Sequence, residues 1–258
     1  MALLLARGIR VESATTDLAA DLARLGVYPG ATAVVAATPA EAEAARRAGS
    51  VAVGVGADEV ALRDACARLV VPNVDALVDR IDEVLDRLSP TEIVVDDAFA
   101  KRALGFAIDA ARAAMALEQV PIGCAILDRS GTLLTSAFNR QQLDRDKTAH
   151  AEIVAFRQIA GRVPMDERGL MVACTLEPCV MCASACMLGG VDTVLFGLRA
   201  PCDGGAERVS PPRSPEACVP RFIGDVESDA CRELFIEWLS KHPGAPGAPF
   251  VRQLLETT

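Results

Sequence analysis

Aromatic residues are scarce in this chain: one tryptophan, one tyrosine and eight phenylalanines make up 4% of 258 residues. So few rings leave little to stack on bases, and a formal charge of -9 lacks the basic footprint of a protein built to hold nucleic-acid phosphates. Lysine does not occur before Lys101. Long apolar runs are missing too. The opening Met1–Ala6 is cut by Arg7 and Arg10, too short for a signal core, and nothing later approaches the ~18 apolar residues of a membrane span. The expectation is a cytoplasmic protein with no membrane partner. Hydrophobic residues, in contrast, supply 51% and charged ones 24%, enough for a buried core and against intrinsic disorder. Nine cysteines are an odd set, and five of them crowd between Cys174 and Cys202, spacing that points to a metal or to core packing more than to a disulfide scaffold.

The length suits two domains, with the boundary at the turn signal Ser89-Pro90-Thr91. Residues 1–90 carry nine basic and thirteen acidic side chains, and residues 91–258 carry 17 and 22, so neither part hides a basic lobe. The first part alternates helical and strand patterns. Helix is expected over Thr16–Leu25, Pro39–Ala48 and Asp75–Leu88, and strand over Thr32–Ala36, Val51–Val55 and Leu69–Val71, an order that implies a small Rossmann-like α/β domain with a parallel sheet. The second part opens with a helix, Asp97–Leu117, apolar at spacings of three and four. A hairpin follows, Pro121–Leu127 and Thr132–Phe138, then a helix from Thr148 to Ala160, a strand Leu170–Thr175, a helix Cys179–Leu188 and a strand Val191–Phe196. That order places helices on both faces of a mixed sheet.

The chemistry concentrates in His150-Ala151-Glu152 and Pro178-Cys179-Val180-Met181-Cys182. Cysteines three apart at a helix N-terminus project to one side, and the free backbone amides there favour thiolates. One imidazole and two thiolates fill three of the four tetrahedral positions zinc prefers, leaving the fourth open as in catalytic sites. Glu152, beside the metal, is placed to move protons, and the combination His-x-Glu with Pro-Cys-x-x-Cys is the signature of zinc-dependent deaminases. A Cys-x-x-Cys pair alone fits equally a redox couple, half of a structural zinc site or two core cysteines. Cys186, four residues beyond Cys182, is either a core residue or a fourth ligand.

Two resemblances extend this reading. Leu25–Gly30, Ala33–Val35, Pro39–Gly49 and Ala67–Asn73 resemble the closing third of haloacid-dehalogenase-like phosphatases, but the nucleophilic Asp-x-Asp, the lysine and the acidic pair of that family are missing, with Ala36-Ala37-Thr38 where the metal-binding acids belong. Residues 1–90 are therefore expected to be a degenerate α/β domain without phosphatase activity. Thr148–Ile153 and Thr175–Ala183 resemble the cytidine-deaminase-like superfamily, within it the branch of tRNA adenosine deaminase and guanine deaminase, a likeness running from about Ala98 to Leu239. It implies an α/β/α three-layer domain over residues 91–258, one zinc per chain, hydrolytic loss of ammonia and a homodimer. Residue by residue, it makes His150, Cys179 and Cys182 the zinc ligands and Glu152 the proton shuttle. Asn139 matches the asparagine that binds the substrate base, or else it caps a turn. Ala151 offers its backbone to the base, and Glu177 supports the loop.

The acidic balance and the segment Arg199–Pro220, read equally as lid or linker, depart from the tRNA-editing members. Phe235 and Trp238 of an amphipathic helix Asp229–Lys241 are core anchors or, in the alternative, close the pocket. The sequence thus points to a zinc aminohydrolase acting on the exocyclic amine of a free nucleobase, nucleoside or similar small heterocycle, guanine-like or adenine-like purines first. The enzymatic alternative is deamination of the tRNA wobble adenosine, with tRNA disfavoured as a partner by charge. The non-enzymatic alternative is a zinc-containing scaffold or interaction protein.

Overall fold

The computed structural model describes residues 17–25, 32–48, 50–65, 67–85, 95–165, 167, 169–206, 208–209 and 220–257. The expected boundary turn Ser89-Pro90-Thr91, the opening Met1–Ala6, the stretch Gly26–Gly30 and the run Ser210–Pro215 lie outside them. The chain divides into two compact units, Met1–Glu92 and Ile93–Thr258.

In the first unit, helix α1 (Leu18–Leu25) is followed by β1 (Ala33–Ala36), α2 (Pro39–Arg47), β2 (Val51–Val55), α3 (Glu59–Asp64), β3 (Leu69–Val71), α4 (Val74–Asp79) and α5 (Ile81–Leu85). The strands form a parallel sheet in the order β1-β2-β3. Because side chains alternate along a strand, Ala36, Ala52 and Val70 meet Ala42 and Ala45 of α2 and Leu62 of α3, while Val51, Val53, Leu69 and Val71 face Leu77 of α4 and Val84 of α5. Thr38 starts α2 with a reciprocal cap: its hydroxyl accepts from the Glu41 N–H at 3.3 Å, and the Glu41 carboxylate accepts from the N–H groups of Thr38 at 3.0 Å and Ala37 at 2.8 Å. The expected helix Asp75–Leu88 is broken at Arg80, whose N–H turns back to the Leu77 carbonyl and whose guanidinium clamps Glu83 with two 2.7 Å bonds.

The second unit runs α6 (Asp97–Ala116), β4 (Gly123–Leu127), β5 (Leu133–Phe138), α7 (Gln141–Asp144), α8 (Ala151–Ile159), β6 (Leu170–Leu176), α9 (Val180–Leu188), β7 (Val191–Leu198), β8 (Arg221–Ile223), α10 (Ser228–Lys241) and α11 (Ala248–Thr257). Its sheet has the order β5-β4-β6-β7-β8, with β4 antiparallel to β5 and β6, and β6, β7 and β8 parallel: a mixed sheet. The central strands β4, β6 and β7 are buried along their whole length, which explains why their sequences read as unbroken apolar runs.

Helices cover both faces. Leu104, Ala107 and Ala111 of α6, Phe235 and Trp238 of α10 and Leu254 of α11 pack on Ala125, Leu127, Met171, Ala173 and Leu195. Ala151, Ala155 and Ile159 of α8 and Cys186 of α9 pack on Cys124, Ile126, Val172, Cys174 and Phe196. This is a three-layer α/β/α arrangement. The inward face of α6 is largely alanine, so the helix lies so close to β4 that a Cβ on Gly123 would stand 2.0 Å from the Ala107 carbonyl oxygen. Each fully buried leucine or phenylalanine in these layers contributes roughly 1.5–3 kcal/mol. Among the described residues, no helix is long and apolar enough to cross a membrane.

Candidate metal centre

Two helix N-termini meet on the α8/α9 face of the sheet. His150 is the N-cap of α8 and Cys179 the N-cap of α9, both in extended backbone, so each side chain projects from the start of its helix. Cys182 follows on the same side, one turn in. Nδ1 of His150 lies 3.5 Å from Sγ of Cys179 and 3.6 Å from Sγ of Cys182. The three donor atoms fall within 4.8 Å of one another, the group among the described residues that could hold a metal ion. One imidazole nitrogen with two sulfurs suits zinc, and three ligands leave one position open. Cys186 is not in this group: it is fully buried in the core between α9 and the sheet, which answers the fourth-ligand alternative.

The electrostatics fit the donor set. A hydrogen bond with the Cys182 thiol, helped by His150 and the Cys182 backbone N–H and opposed by burial, brings the Cys179 thiol down to about 4. Cys182, which shares that proton and is buried, is pushed up instead. The partnership with Cys179 raises His150. Glu152 is 3% exposed, and burial pushes its carboxyl above the usual range. It stands two residues beyond His150 in the first turn of α8, and the charges of His150 and Cys179 act on it.

Asn139 follows β5 and is buried; its backbone N–H is tied to the Ile122 carbonyl at 2.8 Å, while its side-chain amide makes no hydrogen bond to a described residue. Ala151 is fully buried in the first turn of α8, where a helix has no internal acceptor for its N–H. Glu177 has a structural task. Its carboxylate accepts from the N–H groups of Ala200 at 3.0 Å and Ala206 at 3.1 Å. The strap between them is also tied to α9: Val180 N–H donates to the Asp203 carbonyl at 3.1 Å, Gly205 N–H donates to the Pro178 carbonyl at 2.8 Å, and Gly204 bridges to Cys179. The first residues of the expected lid or linker are therefore fastened to the metal-binding turn. Sequence reasoning missed this strap, although Gly204-Gly205 was the signal: a Cβ on Gly205 would stand 2.7 Å from that of Ala183. It also missed Gln141, whose side chain touches His150 and which no pattern marks. Phe235 and Trp238, 0% and 1% exposed, lie on the opposite face of the sheet, so they anchor the core and do not close this site.

Comparison with known proteins places these features in a family. The family model described as the cytidine and deoxycytidylate deaminase zinc-binding region matches residues 98–198. The tRNA-specific adenosine deaminase of Aquifex aeolicus is 33% identical over 107 residues, 41% of this chain and 70% of that protein. This chain belongs to the cytidine and deoxycytidylate deaminase family. Part of the chain also aligns with a relative of another name. A tRNA(Ile)-lysidine synthase of Deinococcus deserti is 33% identical over 135 residues, 51% of this chain but only 25% of that protein, so the chain spans a quarter of this relative. A solved structure from studies of A-to-I editing by tRNA:A34 deaminases is 27% identical, with a TM-score of 0.46, covering 52% of this chain and 98% of that one. The zinc-binding character of the deaminase family agrees with the His/Cys/Cys group.

Proposed function

We propose that this deaminase hydrolyses the exocyclic amine of a free nucleobase, nucleoside or related small heterocycle, with guanine-like and adenine-like purines as first substrates. The observation that carries the reading is the convergence of His150 Nδ1 with two sulfurs, next to a buried carboxyl held above its ordinary pKa. His150, Cys179 and Cys182 hold one zinc ion. Bound zinc supplies a Lewis acid that makes a water nucleophilic at neutral pH. Glu152 takes the proton of the attacking water and delivers protons to the ring nitrogen and then to the departing amine, which leaves as ammonia. Burial suits it to this work, because a carboxyl raised toward neutrality can both take and give a proton. The unengaged amide of Asn139 and the first-turn N–H of Ala151 orient the base.

The preference for a small substrate rests on the net charge of -9, since phosphate contacts supply much of the affinity for RNA. The second reading, tRNA wobble adenosine, is supported by the Aquifex aeolicus relative and by Arg145 and Lys147, which enter no ion pair among the described residues and flank the site segment. Ammonia release from amino-purines, amino-pyrimidines and amino-triazines, set against release from an anticodon stem-loop carrying adenosine, separates them. Activity on RNA alone overturns the small-substrate reading. Zinc at full occupancy with no ammonia from any substrate favours the scaffold reading. A homodimer is also proposed: Val180, Met181 and Leu188 leave an apolar strip on α9 exposed, and light scattering tests it. The free state of the seven described cysteines suits a reducing, cytoplasmic setting.

A further inference from the structure

The ladder between β4 and β6 ends at Cys124 opposite Cys174, and beyond it a side chain carries the connection on. The hydroxyl of Thr175 accepts from the Gly123 N–H at 3.0 Å and donates to the Pro121 carbonyl at 3.2 Å. Thr175 is fully buried, and Pro121 and Gly123 are buried with it, so water does not stand in for any of these groups. Between the two bonded residues, Ile122 gives its carbonyl to the N–H of Asn139 at 2.8 Å. Gly123 is also pressed against α6, where a Cβ would stand 2.0 Å from the Ala107 oxygen. The segment Pro121–Gly123 is thus fixed by α6, by the Thr175 hydroxyl and by Asn139.

We propose that Thr175 is a positioning residue that sets where Asn139 stands relative to the metal centre. The inference rests on the reading of Asn139 as the residue that orients the base. Thr175 lies on β6, four residues before Cys179, so its hydroxyl joins the strand leading into the metal-binding turn to the segment that holds Asn139. A hydroxyl suits the place because it is donor and acceptor at once, matching one carbonyl and one N–H. Its removal leaves both buried groups without a partner, a costly state that the segment escapes only by moving. Movement there shifts Ile122 and with it Asn139, and misplacing a substrate-orienting group by about 1 Å costs about 10²-fold in rate. Thr175 itself touches no reacting atom.

Full-length, zinc-loaded parent, Thr175→Val and Thr175→Ser are compared, each also in an Asn139→Ala background. Valine keeps the shape and removes the hydroxyl; serine keeps the hydroxyl. Elemental analysis for zinc and amide hydrogen exchange need no substrate, and kcat/KM for ammonia release from guanine and from adenine reads the chemistry. The expected result for Thr175→Val is full zinc content, faster exchange at Gly123 and Asn139 and a fall in kcat/KM of about 10²-fold, with Thr175→Ser within a few-fold of the parent. In the Asn139→Ala background that fall is expected to vanish, because a residue acting through another has no effect once the other is gone. Parent-like protection of the Asn139 N–H in Thr175→Val overturns the inference. So does an equal fall in both backgrounds, or a serine variant as impaired as valine. The parent alone also tests it: its Gly123 amide is expected to exchange as slowly as those of Ala125 and Ile126, and fast exchange there overturns the inference even where the valine variant does not fold. A parent that releases no ammonia from either purine overturns the purine reading alone, since exchange and zinc content still decide this one. An Asn139→Ala variant as active as the parent overturns the base-orienting role, and this inference with it.

Discussion

Gly204 lies flat against Glu177, so close that a methyl group on the glycine would stand 2.6 Å from the carboxylate. The pair joins the turn bearing Cys179 to the strap that follows β7, and the carboxylate satisfies two backbone N–H groups of that strap. Glu177→Gln turns one acceptor into a donor facing an N–H, a mismatch worth about 1–3 kcal/mol. Hydrogen exchange at Ala200 or Ala206 is expected to speed up while exchange in β4 stays slow. Unchanged protection at both amides would show that the strap is held without the carboxylate.

Glu152→Gln keeps the shape and removes the proton-carrying group. The expected outcome is a fall in kcat of about 10²–10⁴-fold with zinc content unchanged, measured by ammonia release and elemental analysis on the same sample. Activity within a few-fold of the parent would sink the proton-shuttle role.

Gly123→Ala places a methyl group against backbone atoms of α6, 2.0 Å from the Ala107 oxygen and 2.7 Å from the Ala111 nitrogen. Close-packed interiors do not yield to such overpacking, and a loss of about 3 kcal/mol is expected, or a drop in Tm of roughly 6–12 °C. Since the obstacle is main chain, Ala107→Gly should not restore the loss. Recovery in the double variant would contradict this packing.

Glu41 gives the first unit a dependence on acid. Its carboxylate, hydrogen-bonded by the backbone of Ala37 and then Thr38, titrates below its ordinary value. A depressed pKa in the folded state contributes stability that is complete above the ordinary glutamate range and is lost as pH falls through the lowered value. Denaturant melts of the parent should weaken over that interval relative to Glu41→Gln, whose curve is expected to be flatter there. Parallel curves would show that the cap does not respond to pH.

The metal centre was legible because ligand chemistry depends on short spacings: His150 with Glu152, Cys179 with Cys182. The strands β4, β6 and β7 announced themselves by unbroken apolar runs. What escaped was set by distant partners. Arg221-Phe222-Ile223 is three residues long and becomes a strand only because β7 offers its edge. Residues 248–257 carry no plain helix signal, since Gly247 and Pro249 are breakers, yet Pro249 stands in the first turn of α11, where no N–H is needed. The break at Arg80 turns on one clamp to Glu83, which a helical pattern does not reveal.

The strap after β7 makes the centre a product of the whole unit's folding. Its fastening points at Pro178, Glu177 and Val180 meet residues from Ala200 to Ala206, beyond an entire helix and strand, and His150 arrives from 29 positions before Cys179. Contacts so distant along the chain close only after their intervening elements have been ordered. Uptake of metal should therefore lag behind formation of the sheet, and zinc binding becomes a reporter of completed assembly, sensitive to a break anywhere between Asn139 and Ala206.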